Sequence, residues 1–169
     1  TAQQRVNHPA GVDELHPLSD AESAAGPTGI HEPDVGSVLV DQLAEHFGVP
    51  VHPPGTHSGF NWDGAALDAC TEAYVTLHEI AHFVLAPPER RRLVDFGLGP
   101  GPDTRERAAA EAAAVAPLLE READEAEASL LGILWEAALG QPALASFVDQ
   151  NWLEGLDRSA PRHFTQVFA

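Results

Sequence analysis

Two histidines four residues apart, His78 and His82, enclose Glu79-Ile80-Ala81 within an apolar, alanine-rich stretch that reads as helix. On a helix that spacing stacks both imidazoles on one face, one turn apart, where both can reach one metal ion. Glu79 projects near the same place and can act as a base or hydrogen-bond partner without being a ligand. Two nitrogens leave a divalent ion under-coordinated, so a third protein ligand is required.

An acid-rich stretch from Leu118 to Leu131, after Pro117, offers that ligand. Ala128, Leu131, Leu134 and Trp135 mark the buried face of a helix there. Stepping back three or four residues brings Asp124, Glu125 and Glu127 toward that face, with Glu122 a turn before Glu125. Periodicity leaves all four open. Glu125-Ala126-Glu127-Ala128-Ser129 is similar to the second motif of HExxH enzymes in which a glutamate from a later helix completes the site, which ranks Glu125 first and Glu122 second. A site of two histidines and one carboxylate, with open positions, suits catalytic zinc and non-haem iron(II) equally.

These residues need a frame, and helix dominates it. Val35, Leu39, Leu43 and Phe47 form an i, i+4 stripe that predicts a helix over Val35–Phe47, ended by Gly48. Val49 to Gly55 is broken by proline and predicts an edge strand or extended linker. Asp63 is placed as the N-cap of the main helix, expected from Gly64 to Ala86 and stopped by Pro87-Pro88. Its expected buried face is Leu67, Cys70, Thr71, Tyr74, Leu77, His78, Ala81, His82 and Leu85. A short helix over Glu89–Val94 follows, then the glycine-proline loop from Phe96 to Pro102, which lacks the spacing and the Lys-Ser or Lys-Thr of a phosphate loop. Asp103 or Thr104 opens a long Ala/Glu-rich helical region, bent at Pro117 and ending near Gly140, and a last helical piece is expected between Pro161 and Phe168. The fold class is therefore mainly α, with minor strand content: a single helical domain over 34–169, preceded by a loosely ordered polar arm over 1–33 that carries His8, His16 and His31.

Composition narrows the function. The chain has 169 residues with 26 acidic and 9 basic side chains, a formal charge of −17, and every basic side chain is arginine. So acidic a surface excludes nucleic acid as partner, because neutralising phosphates is what drives such binding. Cys70 is the single cysteine, which rules out an intrachain disulfide and a cysteine metal cluster and fits a buried thiol. With no apolar stretch approaching a membrane span and no basic-then-apolar leader, a cytoplasmic protein is expected.

The segment His78-Glu79-Ile80-Ala81-His82, followed by Arg90-Arg91-Arg92-Leu93-Val94-Asp95-Phe96-Gly97, resembles the bacterial elongation factor P hydroxylase family. A looser echo runs through the Glu125 region and Asn151-Trp152-Leu153-Glu154-Gly155. The resemblance implies gluzincin-like metal ligation by His78, His82 and Glu125, a mononuclear iron(II) site, and hydroxylation of a modified lysine with O2 as co-substrate. Two departures widen the expected substrate to a small amine or acid metabolite. The segment between Gly97 and Glu125 is longer and alanine-rich, and the chain is too acidic to dock readily on an acidic translation factor.

In the oxygenase reading Glu79 is a proton relay beside the iron; in the alternative, a zinc metallopeptidase or amidase, it takes a proton from zinc-activated water. A metal-stabilised binding protein without turnover is the third class. Asp95 is a candidate acceptor for a ligand histidine's other ring nitrogen, or else a residue that turns the chain. Arg90 and Arg91 are candidates for clamping a substrate carboxylate, or else partners of the acidic helix. His52 and His57 are expected in a surface loop, and Trp62, Trp135 and Trp152 as core anchors.

Overall fold

The first helix forms where its stripe predicts, α1 over Val35–Phe47, and Gly48 at φ +66° lets the chain turn away at its end. The buried ridge is shifted by one residue, however. Val40 and Ala44 are buried, while Leu43 and Phe47 are only partly covered. The computed structural model describes residues 35–68, 72–148, 150, 153 and 158–169, which fall within the compact unit Pro33–Ala169. The arm expected over 1–33, with its three histidines, lies outside the described residues, as do Cys70, Thr71 and Trp152.

The main helix is shorter than its periodicity predicts. α2 spans Ala73–Leu85, not Gly64 to Ala86. Leu67 is the reason. Its N–H donates to the Pro50 carbonyl and its own carbonyl accepts from His52, so it forms bridges with Val51 on one side and Trp62 on the other. A residue paired on both sides in extended fashion cannot also sit in a helical turn. Asp63 does cap, but it caps a turn: its Oδ1 accepts from the N–H groups of Ala65 and Ala66, each at 2.8 Å. At the other end Ala86 is extended (ψ 136°), as the residue before a proline must be. The buried face of α2 is Thr76, Leu77, Ile80, Ala81 and His82, whereas Tyr74 and Leu85, expected inside, are exposed.

Gly64 makes the turn before Leu67 possible. It sits at φ +91°, and a Cβ there would lie 2.8 Å from the Arg92 carbonyl oxygen. Gly55, at φ +85°, has nothing within 4 Å of its missing Cβ. Both carry the backbone strain of a positive φ, but only Gly64 adds a clash. Gly64→Ala should therefore cost about 1–3 kcal/mol more in chemical denaturation than Gly55→Ala. Equal losses would mean that the Gly64 turn relaxes freely.

After Pro88 come two 3-10 turns, Arg90–Arg92 and Val94–Gly97, in place of one short helix. Leu93, in extended conformation (φ −103°, ψ 146°), separates them, and Asp95 and Phe96 inside the second turn adopt positive φ (42° and 53°). The Ala/Glu-rich region is also divided. α3 covers Arg107–Ala113 and α4 covers Leu118–Ala138, with Pro117 in extended conformation before α4 and the Val115 and Ala116 N–H groups donating to the Gly97 carbonyl. α5 (Ala143–Val148) was not legible in the sequence, and α6 spans Ala160–Val167. The fold is mainly α, and among the described residues extended pairing is limited to the isolated bridges at Leu67. No described helix is long and apolar enough to cross a membrane.

α4 packs along α2, and this pairing positions the site. Gly132 lies at their contact, where a Cβ would stand 3.5 Å from the His78 backbone. Below it, Trp62, Leu67, Leu77, Ile80 and Phe96 form the larger core. Trp62 stacks on Phe96 at 5.3 Å and donates its indole N–H to the Arg91 carbonyl at 2.8 Å. A second cluster joins Ala126 of α4 to Leu153, Ala160 and Phe164.

Candidate metal centre

α2 carries His78 and His82 one turn apart, and α4 brings Glu125 opposite them. The two Nε2 atoms are 3.0 Å apart, and each lies 3.3 Å from Glu125 Oε2. Nitrogen and oxygen donors about 2.0–2.2 Å from one ion are separated from each other by roughly 2.8–3.6 Å, so these three atoms fit a shared metal without rearrangement. The donor types fit as well: two imidazoles and a carboxylate leave positions for exogenous ligands on zinc or iron(II).

Three of the four acids left open by periodicity are engaged or placed elsewhere. Asp124 accepts from the Arg90 guanidinium, Glu122 faces Arg158 at 3.4 Å, and Glu127 is exposed to solvent.

Protonation of the metal-free site follows from this packing. Burial lowers the His82 pKa, but the adjacent Glu125 carboxylate, with Glu79 and Asp124 beyond it, more than offsets this and holds the imidazole above its usual value. Burial likewise opposes ionisation of Glu125, yet His82 and His78 outweigh it and push that carboxyl well below the usual range. Each group thus favours the charged form of the other, and a divalent cation bound here would displace protons.

Sequence reasoning had not singled out several supporting residues. Ser129 Oγ lies 3.3 Å from His78 Nδ1. With Nε2 engaged by a metal, Nδ1 would carry the ring proton and Ser129 would accept it, which would fix the tautomer. The signal was present, because Ser129 is one turn after Glu125. Asn61 gave no such signal. Its Nδ2 donates to Glu79 Oε1 at 2.9 Å. Burial raises the Glu79 pKa, and the nearby imidazoles only partly counter it.

Asp95 is buried, and both its oxygens have partners outside the histidines. Oδ1 accepts from the N–H groups of Asn61 (3.1 Å) and Trp62 (3.3 Å), and Oδ2 accepts from Thr104 Oγ1 at 2.7 Å. It therefore holds the strand-like turn that presents Asn61, and through it Glu79. It also borders a small cavity shared with Glu79, His82 and Glu125. Burial keeps its carboxyl above the ordinary range despite these hydrogen bonds.

The arginines expected at a substrate carboxylate are occupied elsewhere. Arg90 pairs with Asp124 and faces Glu120 at 3.7 Å. Arg91 donates to the carbonyls of Ala86 (2.8 Å) and Val84 (3.1 Å) and lies over the Phe83 ring. Neither is among the residues lining the cleft beside the histidines: Arg90 ties the turn after α2 to α4, and Arg91 closes the C-terminal end of α2. His52 and His57 pair with Asp63 (2.7 Å) and Asp68 (3.3 Å), away from the cleft.

The cleft itself encloses about 100 Å³. His78, Glu79, Glu125 and Asn61 form one end, and α4 runs along it.

No curated protein and no solved structure matches the chain. Residues 68–118 match the family model described as elongation factor P hydroxylase. That span contains His78, Glu79, His82 and the Arg90–Gly97 turns, while Glu125 lies beyond it. Across the helix that bears both histidines and the turns that follow it, the chain is similar to the elongation factor P hydroxylase family.

Proposed function

We propose that the protein is a hydroxylase using a non-haem iron(II) held by His78, His82 and Glu125, with a modified lysine or a related amine as substrate. The observation that carries the reading is the convergence of two imidazole nitrogens and one carboxylate oxygen within 3.0–3.3 Å at the end of an open cleft, in a chain whose histidine helix matches a hydroxylase family. An iron(II) bound there would supply oxygen activation. The chain's own contributions are separate from that chemistry. His78 and His82 present fixed nitrogens, with Ser129 setting the orientation of the first. Glu79, raised in pKa and held by Asn61, is placed to retain or pass a proton beside the ligands. Phe96, stacked on His82 at 5.6 Å, keeps water from the inner face of the site.

The test is the metal content of protein purified anaerobically, with nitric oxide added to detect the iron–nitrosyl EPR signal. Stoichiometric iron with that signal is expected. Zinc alone, surviving iron supplementation, would replace this reading with the hydrolytic one and make Glu79 the base. Protein that takes up neither metal would leave the triad a hydrogen-bonded cluster.

A further inference from the structure

The cleft is acidic along its length. Besides Glu79 and Glu125 it is bordered by Asp103 and Glu136, and no arginine lines it. Acidity alone assigns nothing, but Glu136 differs from the others. It is only 5% exposed, and its Oε2 is buried without a hydrogen-bond partner. A second cavity bordered by Glu136 is walled by Leu39, Leu77 and Leu139 and offers it no cation. A buried carboxylate oxygen without a partner is costly, by more than most side chains contribute to stability, unless a cation arrives or the group is neutralised.

Position tells what kind of cation. Glu125, Ser129, Gly132 and Glu136 follow one another at helical spacing along the cleft side of α4. Eleven residues separate Glu125 from Glu136, which is about 16 Å of helix rise. Between them the wall includes Ile133 and Val75, which suit an aliphatic chain.

We propose that Glu136 is the anchoring residue for the far ammonium group of an extended aliphatic amine whose other end lies at His78, His82 and Glu125. This rests on the hydroxylase reading for what happens at the reacting end, but not for the binding itself. Glu136 is then a specificity-determining residue: it selects a primary ammonium over a neutral or acidic group, and its distance from the metal ligands selects a long chain over a short one.

Calorimetric titration of the protein as purified, at physiological ionic strength, tests it. The probes are spermidine, 1,8-diaminooctane and 1,4-diaminobutane, with 1,8-octanediol as the neutral counterpart. The long amines should bind at least tenfold more tightly than 1,4-diaminobutane or the diol. Glu136→Gln should erase that preference, and Glu136→Asp should keep part of it. Glu127→Gln, which removes an exposed charge from the same helix, should leave it intact and so separate anchoring from general attraction to an acidic protein. Melting curves of both Glu136 variants establish that they fold; Glu136→Gln should melt no lower than the parent, since it relieves an unpaired charge. Long amines that bind Glu136→Gln as well as the parent, or no better than the diol, would overturn the assignment. The iron–nitrosyl experiment fails independently. Glu136-dependent amine binding without iron would sink the hydroxylase reading alone, and iron with amine binding indifferent to Glu136 would sink this one alone.

Discussion

Glu125→Ala should empty the metal centre, while Glu122→Ala leaves it filled. Glu125 Oε2 is one of three donors at 3.3 Å or closer to one another, and it comes from a different helix than the other two. Its loss leaves two imidazoles, too few protein ligands to retain a divalent ion against dilution. Removing only an outer partner of a ligand typically costs 10–100-fold in affinity, and removing the ligand itself should exceed that. His78→Ala and His82→Ala belong to the same class. Glu122 instead faces Arg158 at 3.4 Å. Its loss should cost no more than about 1 kcal/mol of stability, as for other partly exposed ion pairs, and leave the metal in place. Metal analysis after gel filtration of the four variants reads this directly. The opposite ranking of Glu125 and Glu122 would mean that α4 turns a different face to α2 in the metal-bound protein.

The second large effect is on folding. Asp95→Ala should destabilise the protein by about 3–5 kcal/mol, because it strands the N–H groups of Asn61 and Trp62 and the Thr104 hydroxyl in a buried place. It also puts alanine at φ 42°, a conformation that Asp and Asn tolerate better. Asp95→Asn keeps an oxygen for the two N–H groups and should lose only about 1 kcal/mol. Denaturation midpoints give both numbers. Metal affinity separates the two roles considered for this residue. Unchanged affinity in Asp95→Asn fits a residue that holds the Asn61 turn, whereas a 10–100-fold drop would mean that it orients a ligand histidine.

How far the sequence reached depended on the kind of signal. A helix announced by a sustained stripe and a terminal glycine, such as Val35–Phe47, was legible to the residue. The start of α2 was not, because Leu67 continues the apolar period of the helix yet spends its backbone on Val51 and Trp62, partners distant in sequence. Tertiary pairing overrode a local pattern there. The juxtaposition of His78 and His82 was legible from their spacing alone, since a helix fixes what lies four residues away. Periodicity did not single out the carboxylate, because Glu122, Asp124, Glu125 and Glu127 occupy successive directions around α4 and its rotation against α2 decides which one faces the histidines; the motif over Glu125–Ser129 is what ranked Glu125 first. Asn61 and Glu136 were invisible for a related reason: one acts from an irregular turn, the other through what it lacks.

That Gly132 sits where α4 crosses the His78 backbone bears on which ion the protein can accept. The donors belong to two separate rods, so the aperture between them is gauged by how closely the rods approach, and helix axes at a contact of small residues come nearer than the usual 8–10 Å allows for larger ones. A methyl group at that position fits at ordinary contact distance, but a branched side chain would act as a shim, widening the gap between the imidazoles and Glu125. The calibre of the proposed metal centre is thus written into a residue seven positions from Glu125 that contributes no side chain at all.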